Sequence, residues 1–477
     1  MAGSWVNPAE RIGADLHLEL PGGGGRRAAL TRALRAAVRS GRLAPGTRLP
    51  PYRSLAADLG LARNTVADAY AELVAEGWLT ARQGSGTRVA LGAQPPPVRA
   101  AARPGVRSPG PAHDLRQGQP DAASFPRAAW LASARRAVTA APNEAFGPGD
   151  PRGRPELRRA LAEYLARTRG VRTDADHVVV CSGFAHALRL LFGGGVLPGP
   201  LAVEGYGLPF HRELLEHAGA RTRPLTVDDD GARVDELSDS DRAVLLTPAH
   251  QFPTGGPLHS RRRTAVVEWA ASSDGLVLED DYDGEFRYDR QPVGAVQGLA
   301  PDRVLYIGSA SKSLSPAVRL GWMVLPDHLV DGVLRAKGQR EAWAGVVDQL
   351  TLADLLDSGS YDRHVRRMRQ RYRARRDRFV AALAAQAPHV HVTGMAAGLH
   401  AVLRLPPGTE TATLEAATRA GVAVDALSWF RHPASRFPAE DGLVVGYATP
   451  PDHAFDNALQ ALVRALARPE VSRRRPP

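Results

Sequence analysis

One lysine stands in a sequence context where an amine can do covalent chemistry. The stretch 303–322 reads RVLYIGSASKSLSPAVRLGW: an apolar strand pattern, then a Ser/Lys cluster containing Lys312, then Arg319. Hydroxyl and guanidinium groups bind phosphate, and a primary amine forms a Schiff base with an aldehyde. Pyridoxal phosphate (PLP) requires both. The only other lysine is Lys337, so we predict that Lys312 is the catalytic Schiff-base residue. The alternative is a lysine on a solvated loop.

A run of acidic residues, Glu279-Asp280-Asp281-Tyr282-Asp283, follows another apolar strand pattern. Clustered carboxylates are often solvated charge or a metal site, but His or Cys in metal-ligand spacing is missing, so we predict no metal. Beside a PLP ring, one carboxylate can keep the pyridine nitrogen protonated while the tyrosine binds the ring hydroxyl. Spacing alone does not say which of Glu279, Asp280 and Asp281 points inward.

Two other strand ends carry residues suited to the same ligand. Ser182-Gly183-Phe184-Ala185 opens a helix, where free backbone N–H groups make a phosphate seat. After the next strand, Tyr206 can stack on an aromatic ring.

The strands that position these residues alternate with helix-length segments. This pattern predicts a mostly parallel α/β sheet with helices on both faces and a ligand site at the carboxyl ends of the strands. The predicted strands are His177–Cys181, Leu201–Glu204, Ala243–Thr247, Gly275–Glu279 and Val304–Ile307.

The N-terminal part has a different pattern. Helical spacing begins at Arg26, a short helix is predicted over Arg53–Leu59, and a second over Arg63–Glu76, with Gly60 in the turn between them. A two-stranded hairpin over 78–89 would form a wing. Eleven arginines against four acidic residues between 26 and 90 suit a phosphate backbone. The alternative is a helical hairpin used for dimerisation.

The start of the second helix is the end that enters the major groove of DNA in helix-turn-helix modules. Arg63 can bind guanine and Asn64 can bind adenine, each through two hydrogen bonds. The segments LPPYRSLAADLGLARNTVADAYAELVAEGWL and RQGSGTRV resemble the winged-helix domain of GntR-family bacterial regulators. That resemblance implies DNA contacts from Arg53, Arg63, Thr65 and the wing around Gln83 and Gly84. Ala62 replaces a serine found in many relatives.

The C-terminal part has its own resemblance. FGPGDPRGRPELRRALAEYLARTRGV, CSGFAHAL, TPAHQFPTGG, LEDDYDGEFRY and GSASKSLSPAVRLGW resemble the fold-type-I, aminotransferase-like domain of the MocR subfamily of GntR regulators. The resemblance implies Lys312 as the PLP lysine, Asp280 at the pyridine nitrogen and Tyr282 at the ring hydroxyl. It implies a phosphate site formed by Ser309, Ser311, Arg319 and the amides around Phe184. It also implies a homodimer on paired half-sites of double-stranded DNA.

The sequence departs from active aminotransferases at two places. Phe252 stands where these enzymes have an asparagine, and the last strand, Leu443 to Ala448, has no arginine for a substrate carboxylate. Arg431 is a weakly supported substitute. Nine arginines lie between Asp362 and Arg378, which predicts a solvated or salt-bridged helix face or, alternatively, a contact with DNA or another domain.

Length and composition limit the number of domains, the kind of partner and the cellular compartment. The 477 residues allow about three domains, the net charge of +11 favours a polyanionic partner, and one cysteine fits a reducing compartment. Signal and membrane-span patterns are missing, so we expect a cytoplasmic bacterial protein, associated with the nucleoid when bound to DNA. The expected domains are a flexible segment (1–25), the winged helix (26–91), a proline-rich linker (92–113), the PLP domain (114–469, with large part 114–359 and small part 360–469) and a basic tail (470–477).

The sequence thus predicts a PLP-binding transcriptional regulator that senses the cofactor itself, an amine or an amino acid. One alternative is an active aminotransferase with an accessory DNA-binding domain. Another is a degenerate scaffold used for dimerisation.

Overall fold

The computed structural model describes residues 25–82, 86–92, 110–288, 293–338 and 344–467. The chain divides into two compact units, one up to Gly110 and one from Pro111. Predictions for residues 1–24, for 93–109 of the linker, for Gln83 and Gly84 of the wing and for the tail lie outside the described residues.

The first unit is a three-helix module with a hairpin. Leu30, Leu34 and Val38 occur every four residues, so they share one face of the first helix, and all three are buried. The hairpin pairs Leu79 with Val89, and both of these residues are buried in the same core. The elements are α1 (Arg26–Arg39), α2 (Tyr52–Asp58), α3 (Arg63–Ala75), β1 (Leu79–Arg82) and β2 (Gly86–Val89). This arrangement confirms the predicted winged helix-turn-helix.

The second unit begins with a region of alternating strands and helices. Its elements are β3 (His113–Asp114), α4 (Arg127–Ala140), α5 (Pro155–Arg169), β4 (Val178–Cys181), α6 (Phe184–Leu188), β5 (Leu201–Glu204), α7 (Pro209–His217), β6 (Thr222–Leu225), β7 (Val227–Asp228), β8 (Gly231–Ala232), β9 (Ala243–Leu246), α8 (Ser260–Ser272), β10 (Leu276–Asp280), β11 (Val304–Ser309), β12 (Gly321–Val324) and α9 (Asp327–Lys337).

Seven of these strands form one sheet in the order β4-β12-β11-β10-β9-β5-β6. The neighbours β11-β10, β10-β9, β9-β5 and β5-β6 are parallel, whereas β12 is antiparallel to both of its neighbours. Strands covered on both faces read as continuous apolar runs, and all four residues of β4 and of β5 are buried. The predicted fold class is confirmed. The sequence patterns missed β6 and β12.

The remaining elements form an α+β region around a second sheet. They are α10 (Val346–Asp357), α11 (Ser360–Gln386), β13 (His391–Thr393), β14 (His400–Arg404), α12 (Glu410–Arg419), β15 (Val422–Ala423), β16 (Asp425–Ala426), α13 (Leu427–Phe430), β17 (Gly442–Gly446) and α14 (Asp452–Leu466). The sheet is antiparallel, in the order β13-β14-β17-β16. It packs with α11 and α14 in one apolar cluster.

Four of the nine arginines in the arginine-rich part of α11 form ion pairs in the described structure: Arg371, Arg373, Arg375 and Arg378. Arg371 binds Asp121 at 2.6 Å, and Arg378 binds Asp456 at 2.8 Å. Arg375 is 1% exposed and its guanidinium donates to Asp452 at 2.6 Å. These pairs hold α11 against α14 and the segment before α4.

Candidate functional site

A cavity of about 280 Å³ opens at the carboxyl ends of the parallel strands. The PLP-binding residues predicted from the sequence of the second unit come from five separate segments, and the fold brings all of them except Ser182 to this cavity. Those that line it are Gly183, Phe184, Ala185, Tyr206, Asp280, Tyr282, Ser309, Ser311, Lys312 and Arg319.

Lys312 lies in the turn that follows β11, and its Nζ donates a hydrogen bond to the carbonyl oxygen of Gly118. Burial lowers the pKa of Lys312, while the carboxylates of Asp283 and Asp280 act in the opposite direction. A lowered pKa increases the fraction of neutral amine, which is the nucleophilic form. Gly118 was not identified from the sequence. Gly118 has a φ of +98°, which side-chain-bearing residues rarely adopt. A Cβ at this position would also lie only 3.3 Å from the Lys312 amine, so both observations favour glycine.

The fold decides which of the three consecutive acids faces the cavity. Glu279 is fully buried, and its carboxylate accepts hydrogen bonds from two backbone N–H groups of a neighbouring loop, both at 2.9 Å. Asp281 accepts two hydrogen bonds from the Arg169 guanidinium at 2.6 and 3.0 Å. Only Asp280 lines the cavity. Burial raises the pKa of Asp280 well above its ordinary value, Asp281 raises it further, and Lys312 lowers it.

Tyr282 reaches the cavity from the loop after β10. Its hydroxyl lies 2.9 Å from Nδ1 of His250, a buried residue that sequence reasoning passed over. Burial raises the pKa of Tyr282 well above its ordinary value, and Asp283 and Asp280 add to this effect. The phenol therefore stays protonated at neutral pH and keeps a hydrogen to donate.

The predicted anion seat is present in part. Phe184 and Ala185 are the first two residues of α6, so their N–H groups have no helical carbonyl to bind. Ser182 does not line the cavity, and its N–H donates to Nδ1 of His186 at 3.0 Å. The prediction of a free N–H at Ser182 is therefore wrong, because a side chain of the following helix accepts it. The backbone of Gly321 lies so close to that of Gly183 that a Cβ on Gly321 would be 2.7 Å from the Cα of Gly183, so position 321 requires glycine.

Aromatic side chains also line the cavity. Tyr206 lines the cavity, and its ring packs against Phe437 with centroids 5.5 Å apart. His211, which sequence reasoning missed, also lines the cavity and packs on Phe184 at 4.7 Å. Burial, reinforced by Lys312, lowers the pKa of His211 to about 4, so this imidazole is neutral. The sequence signal was a histidine in the first turn of an amphipathic helix, which is too common to single out.

Two arginine side chains near the cavity, those of Arg212 and Arg431, donate to backbone carbonyl groups. Arg212 lines the cavity, but its Nη1 donates to the carbonyls of Gly207 at 2.7 Å and Phe430 at 3.0 Å. Arg431 does not line it, and its Nη2 donates to Ser435 at 2.8 Å. The expectation that Arg431 substitutes for a carboxylate-binding arginine is therefore wrong within the described structure.

The start of α3 presents the predicted DNA-reading residues. Arg63 and Asn64 are exposed in its first turn, Thr65 is half-buried, and Arg53 is exposed on α2. Ala62 is the N-cap of α3 and makes no side-chain capping hydrogen bond, as the absence of a hydroxyl requires.

Within the described ranges there is no group of three or more side chains that could together bind a metal ion. No helix in these ranges is long and apolar enough to cross a membrane.

The fold and the site define a class: a winged-helix DNA-binding module joined to a fold-type-I, aminotransferase-like unit. The aminotransferase class I and II family matches residues 113–462, and the GntR family of bacterial regulatory proteins matches residues 27–89. An archaeal alanine:glyoxylate aminotransferase superposes with a TM-score of 0.66 at 24% identity, covering 74% of this chain and 90% of that one. A kynurenine aminotransferase from Pyrococcus horikoshii gives 0.67 at 25%, with the same coverage.

Full-length relatives combine both parts. The pyridoxine biosynthesis transcriptional regulator PdxR of Corynebacterium glutamicum is 33% identical over 426 residues, covering 88% of this chain and 91% of that protein. The probable rhizopine catabolism regulatory protein MocR of Rhizobium meliloti is 34% identical over 443 residues, covering 88% and 89%. The chain belongs to the MocR subfamily of GntR-type transcriptional regulators, with an aminotransferase class I and II domain.

Proposed function

We propose that this protein is a PLP-dependent transcriptional regulator that holds PLP on Lys312 and senses PLP itself or an amine or amino-acid effector. The observation that carries the proposal is one cavity lined by Lys312, Asp280 and Tyr282 in a chain that also has a winged helix. When bound, PLP supplies a carbonyl carbon for the amine and a pyridine ring that withdraws electrons. The name of the Corynebacterium relative supports PLP as the signal.

The donor set fits PLP at the ring end of the cavity. The Lys312 amine, with its lowered pKa, is the attachment point. Asp280 would bind the pyridine nitrogen, because its carboxyl lines the cavity and can accept a hydrogen bond from a protonated ring nitrogen. Tyr282, protonated at neutral pH, would donate to the ring hydroxyl.

The phosphate end would use hydroxyl, guanidinium and backbone N–H donors. Ser309, Ser311 and Arg319 line the cavity together with the first residues of α6. Gly183 leaves the approach to these N–H groups free of side chains. Charge-assisted hydrogen bonds from a guanidinium and from N–H groups are the usual means of holding a phosphate.

Sensing is favoured over sustained transamination. Phe252 packs edge-on against Tyr282, with ring centroids 5.7 Å apart, where an active enzyme has a polar residue. Arg212 already donates to two carbonyls, so it offers little to a substrate carboxylate. Amino-group transfer to a keto acid at enzyme-like rates would instead favour the aminotransferase alternative.

A homodimer is part of the proposal. Helices α4 and α10 pack together. Four exposed apolar side chains lie on or near these helices: Leu131 and Val138 on α4, Phe146 just after α4, and Val347 at the start of α10. Such side chains on one region favour burial against a second copy. Sedimentation of the wild type and of Leu131→Glu tests this: we expect a dimer that the charge weakens, and a monomeric wild type would refute the dimer.

The cofactor proposal is tested by the visible absorption spectrum of the protein with PLP. We expect a visible band in the wild type that is missing in Lys312→Ala and retained in the control Tyr361→Phe, which removes a buried hydroxyl outside the cavity. A band that survives in Lys312→Ala would refute attachment at this lysine.

The regulatory proposal requires DNA affinity to depend on the ligand, since a ligand shifts an equilibrium only through different affinities for the two states. A duplex selected from random sequences by the protein itself would be titrated with and without PLP. Arg63→Ala should weaken specific binding by about 1–3 kcal/mol, whereas Arg261→Ala, with the same charge change on exposed α8, should not. Equal affinities with and without PLP and every tested amine would refute regulation through this site.

A further inference from the structure

A buried polar cluster lies directly behind Tyr282. His250 is 3% exposed and Asp283 is 2% exposed in their side chains. Nδ1 of His250 lies 2.9 Å from Oδ2 of Asp283 and 2.9 Å from the hydroxyl of Tyr282. His250 follows β9, and Tyr282 and Asp283 follow β10. Two adjacent strand ends therefore meet at one imidazole nitrogen.

One imidazole nitrogen links the two oxygen groups. The Asp283 carboxylate and the Tyr282 hydroxyl both lie at hydrogen-bonding distance from Nδ1 of His250, so this nitrogen fixes the place of the phenol oxygen.

The cluster is closely packed. Gly398 has φ +73°, and a Cβ built on it would lie 2.4 Å from Cε1 of His250 and 2.6 Å from Oδ2 of Asp283. The ring of His400 has its centroid 5.4 Å from that of His250, and its Nε2 donates to the carbonyl of Pro253 at 3.1 Å. A side chain at position 398 would therefore displace His250 or Asp283.

We propose that Asp283 and His250 are positioning residues that hold the Tyr282 hydroxyl in place at the Lys312 cavity. This inference rests on the proposed PLP site. Neither residue lines the cavity. His250 acts through the phenol, whereas Asp283 both holds His250 and acts electrostatically on Lys312.

The charges that face the cluster come from four elements. Asp283 and Asp280 lie on the β10 side, Lys312 follows β11, His400 is on β14, and Glu204 ends β5. Burial, with a contribution from His250, lowers the pKa of His400 to about 3, so His400 stays neutral. Burial raises the pKa of Glu204 to about 7, so proton uptake at the cavity includes Glu204, and the visible band is measured because it reports on the Lys312 end.

The test is a pH titration of the visible band of the PLP-loaded full-length protein. Tyr282→Phe removes the phenol and defines the full shift of the midpoint. His250→Gln, which leaves the Asp283 carboxylate near Lys312 in place, should shift the midpoint in the same direction by about 0.5 to 1 unit, a three- to tenfold change in proton affinity. In the Tyr282→Phe background, His250→Gln should add no further shift, because its effect passes through the phenol.

A matched control and a second variant keep the test decisive. Tyr70→Phe removes a buried hydroxyl in the first unit, one that donates to the carbonyl of Pro50 at 3.0 Å, and should leave the midpoint unchanged. His250→Asn replaces His250→Gln if the latter does not fold. Additive shifts, or an unchanged midpoint in the His250 variant, would overturn the inference. Loss of the band from the wild type would instead refute the PLP proposal.

Discussion

Replacing Arg169 by methionine should strongly destabilise the second unit. The Arg169 guanidinium donates to Asp281 through Nε at 2.6 Å and Nη2 at 3.0 Å, and to the carbonyl of Val293 at 3.0 Å. The side chains of Arg169 and Asp281 are 5% and 2% exposed. Without the guanidinium, Asp281 retains only the Tyr306 hydroxyl, at 2.7 Å, as a side-chain partner in the described structure. Leaving one buried charge unpaired costs about 3–5 kcal/mol.

The assay is urea unfolding of the full chain without PLP, followed by tryptophan fluorescence. Omitting PLP removes any stabilisation by ligand binding from the comparison. Arg169→Met, Asp281→Asn and the double variant form a cycle. The double variant should be more stable than the sum of the single effects predicts, by about 2 kcal/mol or more, because no unpaired charge remains.

The control is an ion pair of the same type at the surface. Arg233 and Asp235 approach to 2.5 Å, but their side chains are 45% and 59% exposed. Asp235→Asn should cost less than about 1 kcal/mol. A cost for Arg169→Met no larger than this control, or additive effects in the cycle, would refute the argument that burial makes the Arg169–Asp281 pair critical.

Three further predictions concern single positions. Ala62→Ser adds a capping hydroxyl to α3, so the unfolding free energy should rise by about 0.5–2 kcal/mol, measured by urea unfolding; no gain would contradict the cap assignment. Gly118→Ala places a Cβ 3.3 Å from the Lys312 amine at φ +98°, so PLP affinity measured from the visible band should fall at least tenfold, and unchanged affinity would contradict it. Burial raises the pKa of Glu204 to about 7. In the unfolded chain Glu204 ionises at its ordinary pKa, so the wild-type unfolding free energy falls as the pH rises from the ordinary pKa of glutamate toward 7. Relative to the wild type, the unfolding free energy of Glu204→Gln should therefore increase by up to roughly 3 kcal/mol between pH 4.5 and 7.5. A pH-independent difference in urea unfolding would refute this.

Sequence patterns identified the site residues whose chemistry is rare in this chain. Lys312 is one of two lysines, and Asp280 and Tyr282 follow a clear apolar strand, so the carboxyl-end rule for parallel sheets brought them together. The choice among Glu279, Asp280 and Asp281 could not be made, because alternation gives two faces and only the packing of the neighbouring loops decides which one is the cavity.

Contacts between distant segments were the main omission. Gly118 reaches Lys312 across 194 residues of sequence, and His250 reaches Tyr282 across 32. The N–H of Ser182 looked free because its partner, the ring of His186, is available only after the helix has formed. β12 was read as part of a binding motif, since its apolar run is only four residues long.

The central claim is that the Lys312 amine holds PLP. Borohydride reduction of the PLP-treated protein followed by peptide mass mapping tests it directly, because the chain offers only two lysine side chains. We expect the added mass on the peptide that contains Lys312. Finding it on the peptide of Lys337, which donates to the carbonyl of Val180 at 2.6 Å, or on neither lysine would contradict the claim.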